Sequence, residues 1–489
     1  MSAARAALVG HVREVDRIHL AALALVVLAG AGLRLAFLRE PMRFDEAYSF
    51  LTYAMRPPRD ITLAYDLPNN HVLNTLLMHL SWQTLGNHIT TLRLPNLLAG
   101  CAAIPAAYWA GRELYDRDAG LWAAALVATS SPLVDFSVNA RGYMLGLLFV
   151  LLCLGLGARL VRAGSPWAAR AFIVCAGLAA WSVPTMALPL GAVGMWMFVS
   201  AVLRRPRDLR RVLHVAATLA LGAFVGYVLY WPLMGQTGWT FTEPLPRTWD
   251  AIQGIMHATW LTWNRTAYHP LDWITVAGFV AALVLHRRIA RQPMPLPLAG
   301  LLALAGILLF GPIGPFPRSW VGFAPLFLVC AAAGLAALTS LLRERVAAGS
   351  SARARLVTLA PVLVITALLV VSGLRTGQAG SEEPPNSDND IVGILKTTLR
   401  PGEQVLIDQL RFAAAINYYL ARESYGVGVG LVTDAQRKDG RVLILVPRDQ
   451  AAVAASTVGG LGGRVRPNRQ PRLVRQMPYL SLYSVEILP

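Results

Sequence analysis

Apolar runs close to the length of a bilayer crossing recur along this chain from about Leu20 to Leu374. Hydrocarbon offers a backbone no hydrogen-bond partners. A chain with many such runs therefore has to fold as helices that pair their own N–H and C=O groups. Eleven predicted spans follow: Leu20–Leu38, Leu94–Gly111, Leu121–Val134, Tyr143–Leu160, Ala171–Val183, Met186–Leu203, Val212–Leu233, Ile274–Leu285, Leu296–Phe310, Val321–Leu342 and Leu356–Leu374. The fifth and sixth read as a tight pair turning near Pro184. The first run is too long for a signal peptide's apolar core and lacks a small-residue cleavage site, so it reads as a retained helix.

Composition agrees. Of the 489 residues only 15% are charged, against roughly 25% in soluble domains. The net charge of +17 would in a soluble protein point to nucleic acid. Here the arginines sit in short segments between apolar runs, where membrane topology puts them, so no nucleic acid partner is expected. With the N-terminus inside, twenty arginines fall in inside segments, about twice as many as in the longer outside segments before the tail. The expected orientation in a plasma (inner) membrane is a cytoplasmic N-terminus and, after eleven spans, an extracytoplasmic tail.

The tail opens on a polar linker at Ser381 and then alternates strand-like and helix-like segments: Gln404–Ile407, Arg411–Arg422, Val442–Val446, Asp449–Val458 and Tyr479–Ile487. The domain expectation is an all-α membrane domain over 1–375 and a small extracytoplasmic α/β domain over 376–489. Cys101, Cys153, Cys175 and Cys330 all lie in apolar runs without a CxxC or a Cys/His cluster, so neither a disulfide framework nor a metal site is expected.

Function has to come from polar residues held at the membrane surface. These gather on the side assigned outside. The segment after the first span carries Arg43, Asp45, Glu46, Asn70 and His71; the third-to-fourth connection carries Asn139, Arg141 and Tyr143; the ninth-to-tenth carries Arg318. Asp45–Met55 is amphipathic and too polar to cross a membrane, which fits an interfacial helix. Neighbouring helical residues point about 100° apart, so only one of the two acids faces a given cavity. Such an acid serves either as a helix cap and arginine partner or as a general base. Arg141 and Arg318 serve either as anchors that snorkel to lipid phosphate or as partners for a substrate phosphate.

Four segments taken together resemble a known family: RFDEAYSF after the first span, NNHVLNTLLMHL, LGNHITTLRLPNLLAG entering the second, and ARGYML opening the fourth. They are similar to the GT-C glycosyltransferases, in the family 39-like branch of protein O-mannosyltransferases and lipid A aminoarabinose transferases. The resemblance implies a GT-C membrane domain that moves a sugar, mannose or similar, from a polyprenyl-phosphate donor to an outer glycan, lipid or protein acceptor with inversion. No cofactor beyond that co-substrate and no metal is implied. The match carries the base role to Asp45 and a supporting role to Glu46. It places Arg141 on the lipid phosphate with Arg318 as a second cation, and it adds His71, Tyr143 and Asn70 to the substrate site. Where the family's loop often reads His-Pro-Pro, this chain has His71-Val72-Leu73. No WWD-like motif is present, which speaks against an oligosaccharyltransferase. The competing readings are a transporter or flippase for a glycolipid, expected to show broken helices and mid-span charges such as Arg34, and a non-catalytic assembly protein.

Overall fold

A computed structural model of the chain describes residues 3–206, 208–236, 243–264, 269–346, 351–376, 387–399, 403–407, 410–422, 429–431, 440–447, 471–476 and 480–487. Helices α1 (Ala3–Phe37), α2 (Phe44–Ser49), α3 (Pro58–Leu63), α4 (Val72–Leu85) and α5 (Ile89–Leu114) come first. Next are α6 (Arg117–Thr129), α7 (Ser131–Ser137), α8 (Tyr143–Ala163), α9 (Pro166–Ser182), α10 (Ala187–Leu203) and α11 (Leu209–Tyr230). Then follow α12 (Trp249–Trp263), α13 (His269–Val284), α14 (His286–Ile289), α15 (Leu296–Phe310), α16 (Ala324–Val346) and α17 (Ser351–Thr376). The tail adds α18 (Ser387–Thr398), β1 (Gln404–Ile407), α19 (Leu410–Arg422), β2 (Val429–Leu431), β3 (Gly440–Pro447), β4 (Arg472–Gln476) and β5 (Leu480–Ile487). The chain divides into two compact units: Met1–Leu38, Arg59–Leu77 and Arg93–Gly380 form one, and Arg39–Pro58, Met78–Leu92 and Ser381–Pro489 form the other.

In the larger unit every apolar run of the sequence is helical. Among the described residues six helices are long and apolar enough to cross a membrane, or seven if the bent pair α6–α7 is one span; α13 and α15 are shorter apolar helices. Helix α8 and the span ending in α16 are largely enclosed, 78% and 83% buried, whereas α1, α11 and α17 present most of their surface outward. Leu20, Leu25, Leu28 and Leu35 of α1 and Leu209, Leu213, Leu221 and Phe224 of α11 are exposed. Apolar faces this long are stable only against lipid. The enclosed helices meet through small residues. A Cβ on Gly334 of α16 would collide with the Gly278 carbonyl of α13, and one on Gly120 of α6 with the Tyr108 carbonyl of α5. Close backbone approach of this kind drives helix association where no hydrophobic effect operates.

The third predicted span, Leu121–Val134, is not one helix. It breaks into α6 and α7 with a bend of 61°. The cause is local: Ser130 is extended at ψ 119°, and Pro132 follows at the start of α7. The Ala128 carbonyl would pair with the nitrogen of Pro132, which carries no hydrogen. Arg34 of α1 supplies what the break removes. Its Nη1 donates to the Ala128 carbonyl at 2.9 Å and its Nη2 to the Val127 carbonyl at 3.2 Å. Its Nε donates to Ser137 Oγ at 3.0 Å, and Nη1 also reaches the Gly30 carbonyl of its own helix at 2.9 Å. Gly100 of α5 leaves room for this, since a Cβ there would press on Ser137 and on Arg34 Nε at 2.9 Å.

Charges gather at both ends of α8. At its C-terminal end Glu113 of α5 pairs with Arg159 at 3.1 Å and Arg162 at 2.5 Å. Arg141 precedes its N-terminus, about 30 Å away along a 21-residue helix. The fifth and sixth predicted spans are α9 and α10, joined through a 3-10 turn at Pro184–Met186.

The smaller unit holds a five-stranded sheet of order β2-β1-β3-β5-β4. Strand β1 is parallel to β2 and β3, with Val405 opposite Val429 and Leu443; β5 is antiparallel to β3 and β4. Central strand β3 is buried from Val442 to Val446, the continuous apolar run of a strand covered on both faces. The predicted helix Asp449–Val458 lies outside the described residues.

One prediction concerns the break. Arg34→Met leaves the Val127 and Ala128 carbonyls without their donors in apolar surroundings. The variant is expected to lose on the order of 3 kcal/mol, read by unfolding in detergent; Arg34→Lys recovers only part, because an ammonium lacks the guanidinium's planar fork.

Candidate functional site

The polar stretches around Asn70 and Asn139 make a defined set of hydrogen bonds in the larger unit. Asn70 Nδ2 donates to the Ile61 and Ala64 carbonyls, at 2.9 and 2.6 Å, and closes the end of α3. Three residues after His71, Asn74 lies on the same side of the start of α4. Its Nδ2 donates to the Ala140 carbonyl at 2.8 Å, and its Oδ1 accepts from Asn96 Nδ2 of α5 at 2.6 Å. The turn Asn139–Gly142 is thereby tied to α4 and, through Asn74, to α5. Sequence reasoning did not single out Asn96. Its signal was the 22-residue spacing between two asparagines, each in an otherwise apolar helical stretch.

His71 is the centre of this arrangement and is buried. The Gly142 amide donates to its Nδ1 at 3.0 Å, and Arg141 Nη2 lies 3.2 Å from its Nε2. Tyr143 packs edge-on to the ring at 4.9 Å between centroids, and its own ring lies beneath the Arg141 guanidinium at 5.5 Å. Gly142 is required at the turn. A Cβ there would collide with the Ser182 carbonyl and come within 3.0 Å of His71 Cβ.

Burial first, then the charges of Arg141 and Arg318, hold the His71 pKa well below its ordinary 6.5. The ring is therefore neutral near pH 7. Because the Gly142 amide occupies Nδ1, the single ring proton is assigned to Nε2, facing Arg141. Two donor groups stand side by side, an arrangement suited to an anionic oxygen that accepts from both. Arg318 sits half-buried, 4.3 Å over the Phe316 ring, near enough for its charge to act on His71. Of the residues singled out from sequence, the structure thus groups His71, Arg141, Tyr143 and Arg318. Asn70 adjoins His71 in sequence, but its amide nitrogen is engaged by α3.

Asp45 and Glu46 belong to the smaller unit. They lie in the first turn of α2, and their environments differ. Glu46 is fully buried, and its carboxylate accepts the Arg43 amide at 3.0 Å, capping its own helix. Asp45 is only half-buried. Arg43 pairs with Glu40 at 3.1 Å.

The fold is that of the GT-C membrane glycosyltransferases. A family model described as dolichyl-phosphate-mannose-protein mannosyltransferase matches residues 72–231, a stretch that starts one residue after His71 and carries Asn74, Asn96, Arg141 and Tyr143. ArnT from Cupriavidus metallidurans in its apo state is 13% identical with a TM-score of 0.58, covering 97% of this chain and 98% of that one. The same protein bound to undecaprenyl phosphate gives 14% identity, a TM-score of 0.55 and coverage of 96% and 97%. An oligosaccharyltransferase from Archaeoglobus fulgidus, in complex with Zn and sulfate, gives 13% identity, a TM-score of 0.52, and coverage of 96% of this chain and 74% of that one. No curated protein matches. The chain has the GT-C fold, shared at this level with both ArnT and the oligosaccharyltransferase.

The depressed His71 pKa has a consequence for stability. Between its folded pKa and 6.5 the unfolded chain holds a proton on this ring that the folded chain lacks. The contribution is therefore complete above 6.5 and shrinks as pH falls, by up to about 1.4 kcal/mol per unit. Unfolding of the native chain and of His71→Asn in detergent should show the stability difference narrowing by that amount on acidification. A constant difference would mean that His71 titrates normally.

Proposed function

We propose that this chain is an integral membrane transferase that moves a sugar from a polyprenyl-phosphate donor to an acceptor on the extracytoplasmic face, with inversion at the anomeric carbon. The observation that carries the reading is the buried cationic corner of the larger unit, where the neutral ring of His71 presents its Nε2–H beside Arg141, with the charge of Arg318 near. Arg141 and Arg318 hold the lipid phosphate and stabilise the charge it gains as the glycosidic bond breaks. Tyr143 supports the Arg141 guanidinium, and Asn70 fixes the loop that presents His71. Asp45 takes the proton of the acceptor hydroxyl as that oxygen attacks the sugar from the face opposite the phosphate. Glu46, by capping α2, holds the turn in which Asp45 sits. Lipid phosphate is already a competent leaving group, so the chemistry asks for no nucleotide and no obligatory metal. The corner lies at the end of α8 opposite the Glu113–Arg159–Arg162 cluster, and we assign it to the outer face, with the N-terminus cytoplasmic and the C-terminal domain extracytoplasmic in an inner membrane.

The transporter or flippase reading would draw on the broken α6–α7 span and on Arg34 in mid-membrane. Arg34's donors go to the carbonyls of that break and to Ser137, so the charge serves the helix rather than a transport path.

The decisive assay offers the purified protein undecaprenyl-phosphate mannose, glucose, arabinose and aminoarabinose, with envelope extract as acceptor source, and follows sugar transfer. One of these donors is expected to be turned over; movement of the lipid without transfer would favour the flippase. Asp45→Asn is expected to lower turnover by about 10²–10⁴-fold, and full activity there would remove Asp45 as the base. Arg141→Ala is expected to raise the donor KM by about tenfold to a hundredfold. An unchanged donor dependence would leave it a lipid anchor.

A further inference from the structure

The smaller unit joins three stretches that are far apart in the chain, and its packing bears on Asp45. Helix α2 is only six residues long and passes directly into a π-helical turn, Phe50–Ala54. An isolated helix below about 12 residues is marginal, so the direction of Asp45 depends on what grips α2 from outside. The grip comes from α19 of the C-terminal domain. Before α2, the buried Met42 amide donates to the Tyr419 hydroxyl at 2.9 Å. After it, the buried Phe50 ring stands edge-on to Tyr418 at 5.8 Å and to Trp82 at 5.6 Å. Tyr418 and Tyr419 pack against each other at 5.3 Å. The π turn is closed by His79 of α4, whose Nδ1 meets the Ala54 carbonyl at 2.7 Å. Helix α19 itself packs on β1, β2 and α18, and its Ala415, Ile416 and Leu420 are buried. Asp45 thus lies between two fixed points, Met42 and Phe50, each in contact with one of two neighbouring tyrosines of α19.

We propose that the C-terminal α/β domain is the positioning element for the Asp45 helix, and that Tyr419 is a positioning residue acting through Met42. This rests on the reading of Asp45 as the base. The domain's role is then to aim a carboxylate rather than to carry chemistry or recognise an acceptor.

The test uses full-length protein and two separate readouts. Backbone hydrogen exchange over residues 40–54 reads the grip without any substrate. Tyr419→Phe, which removes the acceptor for the Met42 amide, is expected to speed exchange there about tenfold while the rest of the domain stays protected. Turnover with whichever of the four undecaprenyl-phosphate sugars is active reads the consequence: kcat is expected to fall about tenfold with the donor KM unchanged. Added to Asp45→Asn, the substitution should lower the residual rate no further. Unchanged exchange overturns the proposal, as does faster exchange with unchanged kcat, or a second full loss on top of Asp45→Asn. If Asp45→Asn is fully active the base reading fails, the proposal falls with it, and the exchange result alone reports whether α19 grips α2. Should Tyr419→Phe not fold, Phe50→Leu keeps the hydrogen bond and loosens the ring contact. It has to show the same loss in kcat alone, and an unaltered kcat there overturns the proposal.

Discussion

Wherever a helix breaks in apolar surroundings, the freed carbonyls and amides have to find partners among side chains, because no water is present to serve. The larger unit is organised around that requirement. The α6–α7 break is answered by Arg34, reaching from α1 to two carbonyls and a hydroxyl. The turn before α8 is answered from α4 and α5: Asn74 takes the Ala140 carbonyl, and His71 takes the Gly142 amide. Removing any of these partners would leave a buried backbone group unpaired, at a cost of about 1–3 kcal/mol. The same hydrogen bonds that repair the backbone also fix the side chains of the candidate site. Because its amide is claimed by the histidine, the Gly142 turn holds the Arg141 guanidinium against Tyr143.

Much of this was legible from sequence. Apolar runs of bilayer length became helices because hydrocarbon permits little else, and His71, Arg141 and Tyr143, which the sequence places between spans or at the start of one, lie together in the structure. The α6–α7 bend was not legible. Ser130-Ser131-Pro132 follows a long apolar run and is itself followed by Leu133 and Val134, and a proline there does not reveal by itself whether the helix tilts or breaks. Asn96 was overlooked because one asparagine in an apolar helix carries no periodicity; only its partner Asn74 gives it meaning. Two strands of the tail escaped for a related reason. Strand β2 is three residues long and β4 is exposed at every position, so neither shows the alternation that marks a half-buried strand.

Asp45 and Glu46 illustrate how adjacent identical chemistry divides. One step along a helix turned Glu46 into the interior, where its carboxylate caps the turn, and left Asp45 half-exposed. Sequence dictated that the two acids would diverge; only packing decided which of them went inside. The contacts on either side of that helix come from Tyr418 and Tyr419, far along the chain, to Phe50 and Met42.

The Met42–Tyr419 hydrogen bond spans 377 residues of chain. During synthesis, the segment bearing Asp45 emerges before almost everything that will hold it. For the time needed to make and insert the helices in between, its six-residue helix lacks its anchor, because contacts of such long range form late. A chain halted before α19 therefore has its spans but not the orientation of its acid. Completion of the last domain becomes the step at which a membrane-inserted protein acquires a set geometry at α2.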